Sequence, residues 1–206
     1  MRSSRAPLAV DSGAKHMKDP LERFNTWLED AKKSDAEEPT AMALATADAS
    51  GAPSVRMVLL KAVDRRGFVF YTNLDSPKSG ALRANPRAEL CFFWAPRHQV
   101  RVRGQVVPVA PEEADAYFAT RPRLSQLGAW ASRQSKPLGS YGELERAVAA
   151  CALRFGIGKV PRPPNWSGFR VVPDQIEFWE QGQFRLHHRV VCTRDGEGWK
   201  EQALFP

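Results

Sequence analysis

Residues 99–107, Gln-Val-Arg-Val-Arg-Gly-Gln-Val-Val, carry the cleanest polar–apolar alternation in the chain. A strand throws successive side chains to opposite faces. Val100 and Val102 therefore face one way, and Gln99, Arg101, Arg103 and Gln105 the other. Upstream, Ala41–Ala47, Ser54–Val63, Gly67–Thr72 and Ala88–Trp94 are short and apolar-rich, and turn signals such as Ser50-Gly51 and Arg66-Gly67 punctuate them. Downstream, Phe169–Val172, Ile176–Trp179, Arg185–Thr193 and Trp199–Ala203 read as strands, with Asp195-Gly196 as the hairpin signal between the last two.

Helical patterns interrupt these strands without strict βαβ alternation. Asp19-Pro20 supplies an N-cap and a first-turn proline, and Leu21, Phe24, Leu28 and Ala31 recur at helical spacing until the Asp35–Pro39 stretch. Ser76-Pro77-Lys78 opens a short helix that stops before Asn85-Pro86. Pro111–Ala119 and Leu124–Ala131 flank an Arg121-Pro122 break. The capping box Ser140-x-x-Glu143 then starts a helix with Leu144, Ala147, Val148, Cys151 and Phe155 on one face. The expected class is α+β: a mainly antiparallel barrel with appended helices. Residues 1–18 are expected to be a disordered tail, and residues 19–206 a single domain.

Bulk properties exclude several classes. The 206 residues are 43 % apolar and 26 % charged, as in an ordinary globular protein large enough to dispense with disulfides and metals. Cys91, Cys151 and Cys192 are far apart, and no C-x-x-C pair exists, which argues against a disulfide framework or a zinc site and suits a reducing, cytoplasmic setting. Cys91 and Cys151 are expected to be core fillers. No apolar run spans a bilayer, and the N-terminus has no apolar signal region. The net charge of +7 calls for an anionic partner or ligand. The basic residues are spread through strands and turns, which does not favour nucleic acid.

Four groups carry candidate chemistry. On a strand, Arg185, His187 and Arg189 share one face while His188 points away, and Trp179 lies just upstream; cations beside an aromatic suit a flat anionic ligand. Arg56 and Lys61 bracket a strand and, being an odd number apart, would face opposite ways. Lys78 sits in the first turn of a helix, where free N–H groups favour phosphate. Tyr117, Arg121 and Ser125, spaced four and four, could hydrogen-bond one phosphate dianion, although Pro122 breaks a single helix through them. No hydrolase, P-loop, zincin or dinucleotide motif appears, and the adjacent His187 and His188 cannot chelate a metal together.

In order along the chain, these groups and the stretches PTAMALATAD (39–48), RMVLLK (56–61), FVFYTN (68–73), YFATRPRLSQLGAWASRQS (117–135) and IEFWEQGQFRLHHR (176–189) resemble the pyridoxamine 5′-phosphate oxidases. The resemblance covers about Asp19 to Pro206. It implies an FMN-binding split barrel working as a homodimer with active sites at the subunit interface. Arg56, Met57, Val58, Leu59, Leu60, Lys61, Tyr71, Thr72, Lys78, Gln99, Gln134, Ser135, Trp179 and Arg189 would contact FMN. Lys61, Tyr117, Arg121 and Ser125 would hold the substrate phosphate. Arg185 and His187 would lie against the substrate ring as the catalytic pair. The implied reaction is oxidation of a phosphorylated B6 vitamer by O2, giving pyridoxal 5′-phosphate and H2O2. This chain departs from the family at Pro77, usually arginine, at His188, usually aspartate, and in lacking a clear N-terminal arm. The alternatives are a flavin oxidase of another substrate, such as those of phenazine biosynthesis, and a split-barrel flavin or pyridoxal-phosphate binder with little turnover.

Overall fold

Helix α1 (Pro20–Lys33) starts where the Asp-Pro pair places it: Asp19 Oδ1 accepts from the Leu21 N–H at 3.0 Å. In this computed structural model the described residues are 19–34 and 36–206, so the tail expected over residues 1–18 lies outside them. Strands β1 (Ala41–Ala47), β2 (Pro53–Leu59), β3 (Ala62–Asp64) and β4 (Gly67–Asn73) lead to α2 (Pro77–Ala84), β5 (Arg87–Trp94) and β6 (His98–Pro108). Helices α3 (Pro111–Thr120), α4 (Arg123–Ala131) and α5 (Tyr141–Phe155) follow, then β7 (Trp166–Glu180), β8 (His188–Asp195) and β9 (Gly198–Leu204).

The strands form one antiparallel sheet in the order β2-β1-β5-β6-β7-β4-β3, with β8 and β9 added beside β7. Strand β7 organises it. Trp166–Val171 pair with β4, whereas Gln175–Glu180 pair with β8, and β6 runs along the other edge throughout. A register shift between Arg103 and Gly104, opposite Pro173 and Asp174, lets β7 bend between these halves. The sheet thus splits around β7 and curls into the expected barrel.

Period-2 alternation fills the interior. Leu44, Leu90, Phe92, Val100, Val102, Ile176 and Phe178 point inward, and α1 plugs the barrel. Phe24 is fully buried, with ring centroids 4.8 Å from Phe68 and 4.9 Å from Phe92. Truncating such a ring to alanine costs about 3–5 kcal/mol. A smaller cluster of Phe118, Leu127, Val160 and Trp166 seats α3 and α4 against the start of β7, and Val148, Cys151 and Phe155 of α5 pack on it half-buried.

Several expected elements differ. Ser54–Val63 is not one strand. Leu60 N–H bonds Thr40 and Lys61 N–H bonds Val69, so the chain changes neighbour from β1 to β4 between these residues. Phe169–Val172 and Ile176–Trp179 merge into β7 because Pro173 falls at the register shift, where no ladder donor is needed. The strand expected from Arg185 begins only at His188, and Gln183–Arg185 form a 3₁₀ turn with Phe184 and Arg185 at positive φ. Ser140 caps α5 by position without a side-chain bond; Glu143 instead accepts from Arg133 and the Gly139 N–H. Cys91 and Cys151, expected as core fillers, are both only half-buried; Cys151 packs on the edge of the smaller cluster, and the buried thiol is Cys192.

Candidate cofactor and phosphate site

The strand break at Leu60-Lys61 shapes a cavity of about 480 Å³ between the β2 end, β4, α2, α3 and α4. Met57, Val58, Leu59, Lys61, Tyr71, Thr72, Lys78, Tyr117, Arg121, Ser125 and Gln134 line it, with Trp166. Eleven residues expected to bind FMN or substrate phosphate therefore converge here. Arg56 and Lys61 are not brought to it together: Lys61, beyond the strand break, lines the cavity, whereas Arg56 of β2 does not.

The floor is aromatic. Tyr117 stacks on Tyr71 at 4.2 Å, and Tyr71 on Trp166 at 5.1 Å with the rings 1° apart. Gly168 of β7 makes room for this stack, since a Cβ there would lie 2.7 Å from the Tyr71 ring. Burial raises the pKa of both phenols further above their ordinary range, so both are donors at neutral pH.

The walls are cationic. Lys78 donates to Thr72 Oγ1 at 3.0 Å, Ser76 Oγ at 3.0 Å and Gln134 Oε1 at 2.8 Å. Burial and then the Arg56 charge hold its ammonium below the usual lysine range. Arg56, close enough to Lys78 for its charge to act on it but not itself a lining residue, is pinned by Leu44 O at 3.2 Å, Thr46 Oγ1 at 2.7 Å and Ser54 Oγ at 2.7 Å, and burial lowers its pKa too. Arg121, just past the end of α3, lies over Trp166 at 4.8 Å and Phe118 at 5.4 Å. Its Nη1 is buried with no hydrogen-bond partner, and burial depresses its pKa. Among the described residues, Arg56, Lys61, Lys78 and Arg121 form no salt bridge with a carboxylate. Lys61 is exposed, but the partly desolvated Arg56, Lys78 and Arg121 and the orphaned donor are costly unless an anion joins them. Together with the flat aromatic floor, they fit a phosphate-bearing ring ligand such as FMN.

A second group lies apart. Gln99, Trp179 and Arg189 are register neighbours across β6, β7 and β8. Arg189 is gripped by buried Glu177, through Nε at 2.9 Å and Nη2 at 2.7 Å, and by the Phe205 carbonyl at 3.1 Å. The ring of His187 rests 4.6 Å from that of Trp179. Its Nδ1 accepts from the Gly182 N–H at 3.3 Å, an arrangement satisfied by the tautomer with its proton on Nε2. Arg185 sits in the left-handed turn, so it does not share a strand face with His187 and Arg189. None of these five lines the first cavity. Leu60 is core, and Ser135 belongs to an adjoining cavity of about 280 Å³. Sequence reasoning missed Asn73, Gly128, Ala129, Ser132 and Trp166 as lining residues. Only Trp166 left a signal, an aromatic where the proline-rich connector becomes a strand.

A sequence profile described as pyridoxamine 5′-phosphate oxidase matches residues 28–155. The chain belongs to the pyridoxamine 5′-phosphate oxidase family. A second profile, the pyridoxine 5′-phosphate oxidase C-terminal dimerisation region, matches residues 166–206, which include Trp179, Arg185, His187 and Arg189. Pyridoxine/pyridoxamine 5′-phosphate oxidases from Azorhizobium caulinodans and Rhodospirillum rubrum are 55 % and 56 % identical to it. They cover 91 % and 92 % of this chain, and 90 % and 97 % of their own lengths are matched. Among solved structures, PhzG from Burkholderia lata in complex with tetrahydrophenazine-1-carboxylic acid superposes with a TM-score of 0.87. It is 33 % identical, and the match covers 93 % of this chain and 94 % of that one. A pyridoxamine 5′-phosphate oxidase-related, FMN-binding protein from Nostoc punctiforme, 17 % identical, shares the fold with a TM-score of 0.74 over 92 % of this chain and 100 % of its own.

Proposed function

We propose that this protein is an FMN-dependent oxidase that converts pyridoxine or pyridoxamine 5′-phosphate to pyridoxal 5′-phosphate, with O2 as final oxidant and H2O2 as by-product. The observation that carries the proposal is the convergence of Lys61, Tyr117, Arg121 and Ser125 on one cavity with the orphaned Arg121 Nη1. FMN, when bound, supplies the two-electron acceptor and returns the electrons to O2. The chain's own residues bind and orient. Lys78 and Arg56, with Gln134 and Thr72, would hold the cofactor phosphate. Pro77 occupies the first position of α2, so the loss of the family's arginine leaves that phosphate to these two cations. Lys61, Arg121, Ser125 and the Tyr117 phenol would hold the substrate phosphate, fixing the ring by its far end.

The finer reading is a composite site. In a homodimer, the Gln99–Trp179–Arg189 face and the Arg185–His187 turn of one subunit would complete the cavity of the other. Support comes from their separation from the cavity within one chain and from the dimerisation profile over residues 166–206. His187 would offer Nε2–H to an acceptor on the substrate, and Arg185 a positive charge beside the ring. Residues 19–206 would act as one domain. No helix among the described residues is long and apolar enough to cross a membrane, and three free thiols suit the cytoplasm.

Oxidation of a phenazine precursor is the second reading, favoured by the PhzG superposition. The phosphate-binding set and the 55–58 % identity to B6 oxidases argue for the B6 substrate. The test is a coupled assay on FMN-loaded protein with pyridoxamine 5′-phosphate in air. Equal amounts of pyridoxal 5′-phosphate and H2O2 support the proposal. No product with pyridoxamine or pyridoxine 5′-phosphate, alongside bound FMN, would refute it.

A further inference from the structure

Next to the aromatic floor, outside the cavity lining, lies a closed ring of four charges. Arg170 of β7 is only 5 % exposed. Its Nη1 meets Asp64 Oδ1 at 2.8 Å and its Nη2 meets Glu113 Oε1 at 2.7 Å. Arg66 closes the ring from outside, 2.7 Å from Asp64 and 3.7 Å from Glu113. Burial alone would raise the Asp64 carboxyl, but the hydrogen bonds from Arg66 and the Arg170 charge outweigh it and hold that carboxyl below its usual range. The two positive and two negative charges alternate, so the one buried ion, Arg170, has two carboxylates as counter-ions.

The ring joins the elements that build the cavity. Asp64 ends β3, three residues after Lys61. Arg170 sits opposite Val69 of β4, two residues after Gly168, against which the Tyr71 ring rests. Glu113 lies in the first turn of α3, one turn before Tyr117 and two before Arg121, and its carbonyl accepts the Tyr71 hydroxyl at 3.4 Å. The planar guanidinium addresses two carboxylates in fixed directions, which a lysine cannot do. The ring also ties up both carboxylates, so that neither is free to compete for Lys61 or Arg121.

We propose that Arg170 is a positioning residue for substrate phosphate: by clamping Asp64 and Glu113 it sets α3 and β3 at the spacing that lets Tyr117, Arg121 and Lys61 meet one phosphate. The inference rests on the proposed phosphate subsite. It predicts that clamp variants lose ground-state phosphate binding, seen as a raised KM with kcat retained.

The experiment compares R170K, E113Q and the double variant R170M/E113Q with wild type, all as FMN-loaded protein. Steady-state kinetics with pyridoxine 5′-phosphate are paired with calorimetric titration of inorganic phosphate, which reads the subsite without turnover. R170K and the double variant are expected to raise KM and the phosphate Kd about tenfold or more, with kcat within about threefold and FMN content unchanged. E113Q keeps the Asp64 arm and is expected to show a smaller shift in the same direction. The double variant removes the unpaired carboxylate together with its cation, so it tests the geometry even where a single variant folds poorly. A drop in thermal stability with KM and phosphate Kd unchanged would overturn the proposal, and so would equal losses in kcat and kcat/KM. Absence of turnover in wild type would instead count against the oxidase reading, while the phosphate titration still decides the role of Arg170.

Discussion

Replacing Arg121 by methionine separates binding from stability in a way that few other changes in this chain would. The side chain keeps much of its volume over Trp166 and loses the charge and the buried Nη1 that has no partner. Hydrogen bonds between charged groups contribute about 1.5–3 kcal/mol. Loss of one from the phosphate subsite should therefore raise KM for pyridoxine 5′-phosphate roughly 10- to 150-fold. The ligand-free protein should behave differently. A cation over an aromatic ring contributes about 0.5–2 kcal/mol, and the variant gives this up. An unsatisfied buried donor costs about 1–3 kcal/mol, and the variant is relieved of it. The two nearly cancel, and at about 2–4 °C per kcal/mol the melting temperature should stay level or rise by a few degrees. Thermal melts without substrate and initial rates across substrate concentration check both halves. A variant with wild-type KM, or one whose Tm falls by more than about 5 °C, would refute the assignment of Arg121 as a donor held ready for an anion.

Three further outcomes follow from the same geometry. Neither R121M nor R185M homodimers should turn over efficiently, but co-refolded mixtures should recover about a quarter of wild-type activity, because half the dimers are mixed and each has one intact site; no recovery would place both residues in one subunit's site. FMN affinity, followed by flavin fluorescence, should weaken as pH rises through the depressed Lys78 pKa, because only the charged ammonium attracts phosphate; K78M should flatten that dependence, and wild-type affinity constant up to the ordinary lysine value of 10.5 would contradict it. G182A places a Cβ 1.8 Å from the Leu186 carbonyl oxygen, forcing the turn open and releasing His187; kcat/KM should fall about tenfold or more with FMN content retained, and unchanged kinetics would argue against the turn as a positioning element.

Much of the fold was legible because its signals are local. Asp19-Pro20 and Ser76-Pro77 fix helix starts within a few residues, and the Gln99–Val107 alternation fixes which side chains of β6 enter the core. The failures share a cause in tertiary structure. The Leu60-Lys61 break exists because the chain exchanges one neighbouring strand for another, which no propensity records. Pro173 reads as a strand terminator until a bulge gives it a place where its missing N–H is harmless. Arg185 reads as strand because its left-handed conformation depends on how Gly182 packs against Leu186.

The candidate site was legible as a set of residues but not as an arrangement. Tyr117, Arg121 and Ser125 reach one cavity even though Pro122 divides their helices. The separation of Trp179, Arg185, His187 and Arg189 from that cavity is visible only once the chain is folded. The clamp of Arg170 on Asp64 and Glu113 joins residues as far as 106 positions apart, and nothing in their local sequence marks it.

The central claim is that the cavity binds FMN and a phosphorylated B6 vitamer within electron-transfer reach of each other. Anaerobic addition of pyridoxine 5′-phosphate to the FMN-loaded protein tests it most directly. The account predicts that the visible flavin band bleaches on addition and recovers when air is admitted, with pyridoxal 5′-phosphate formed. A flavin band that stays unchanged with both pyridoxine and pyridoxamine 5′-phosphate would contradict it.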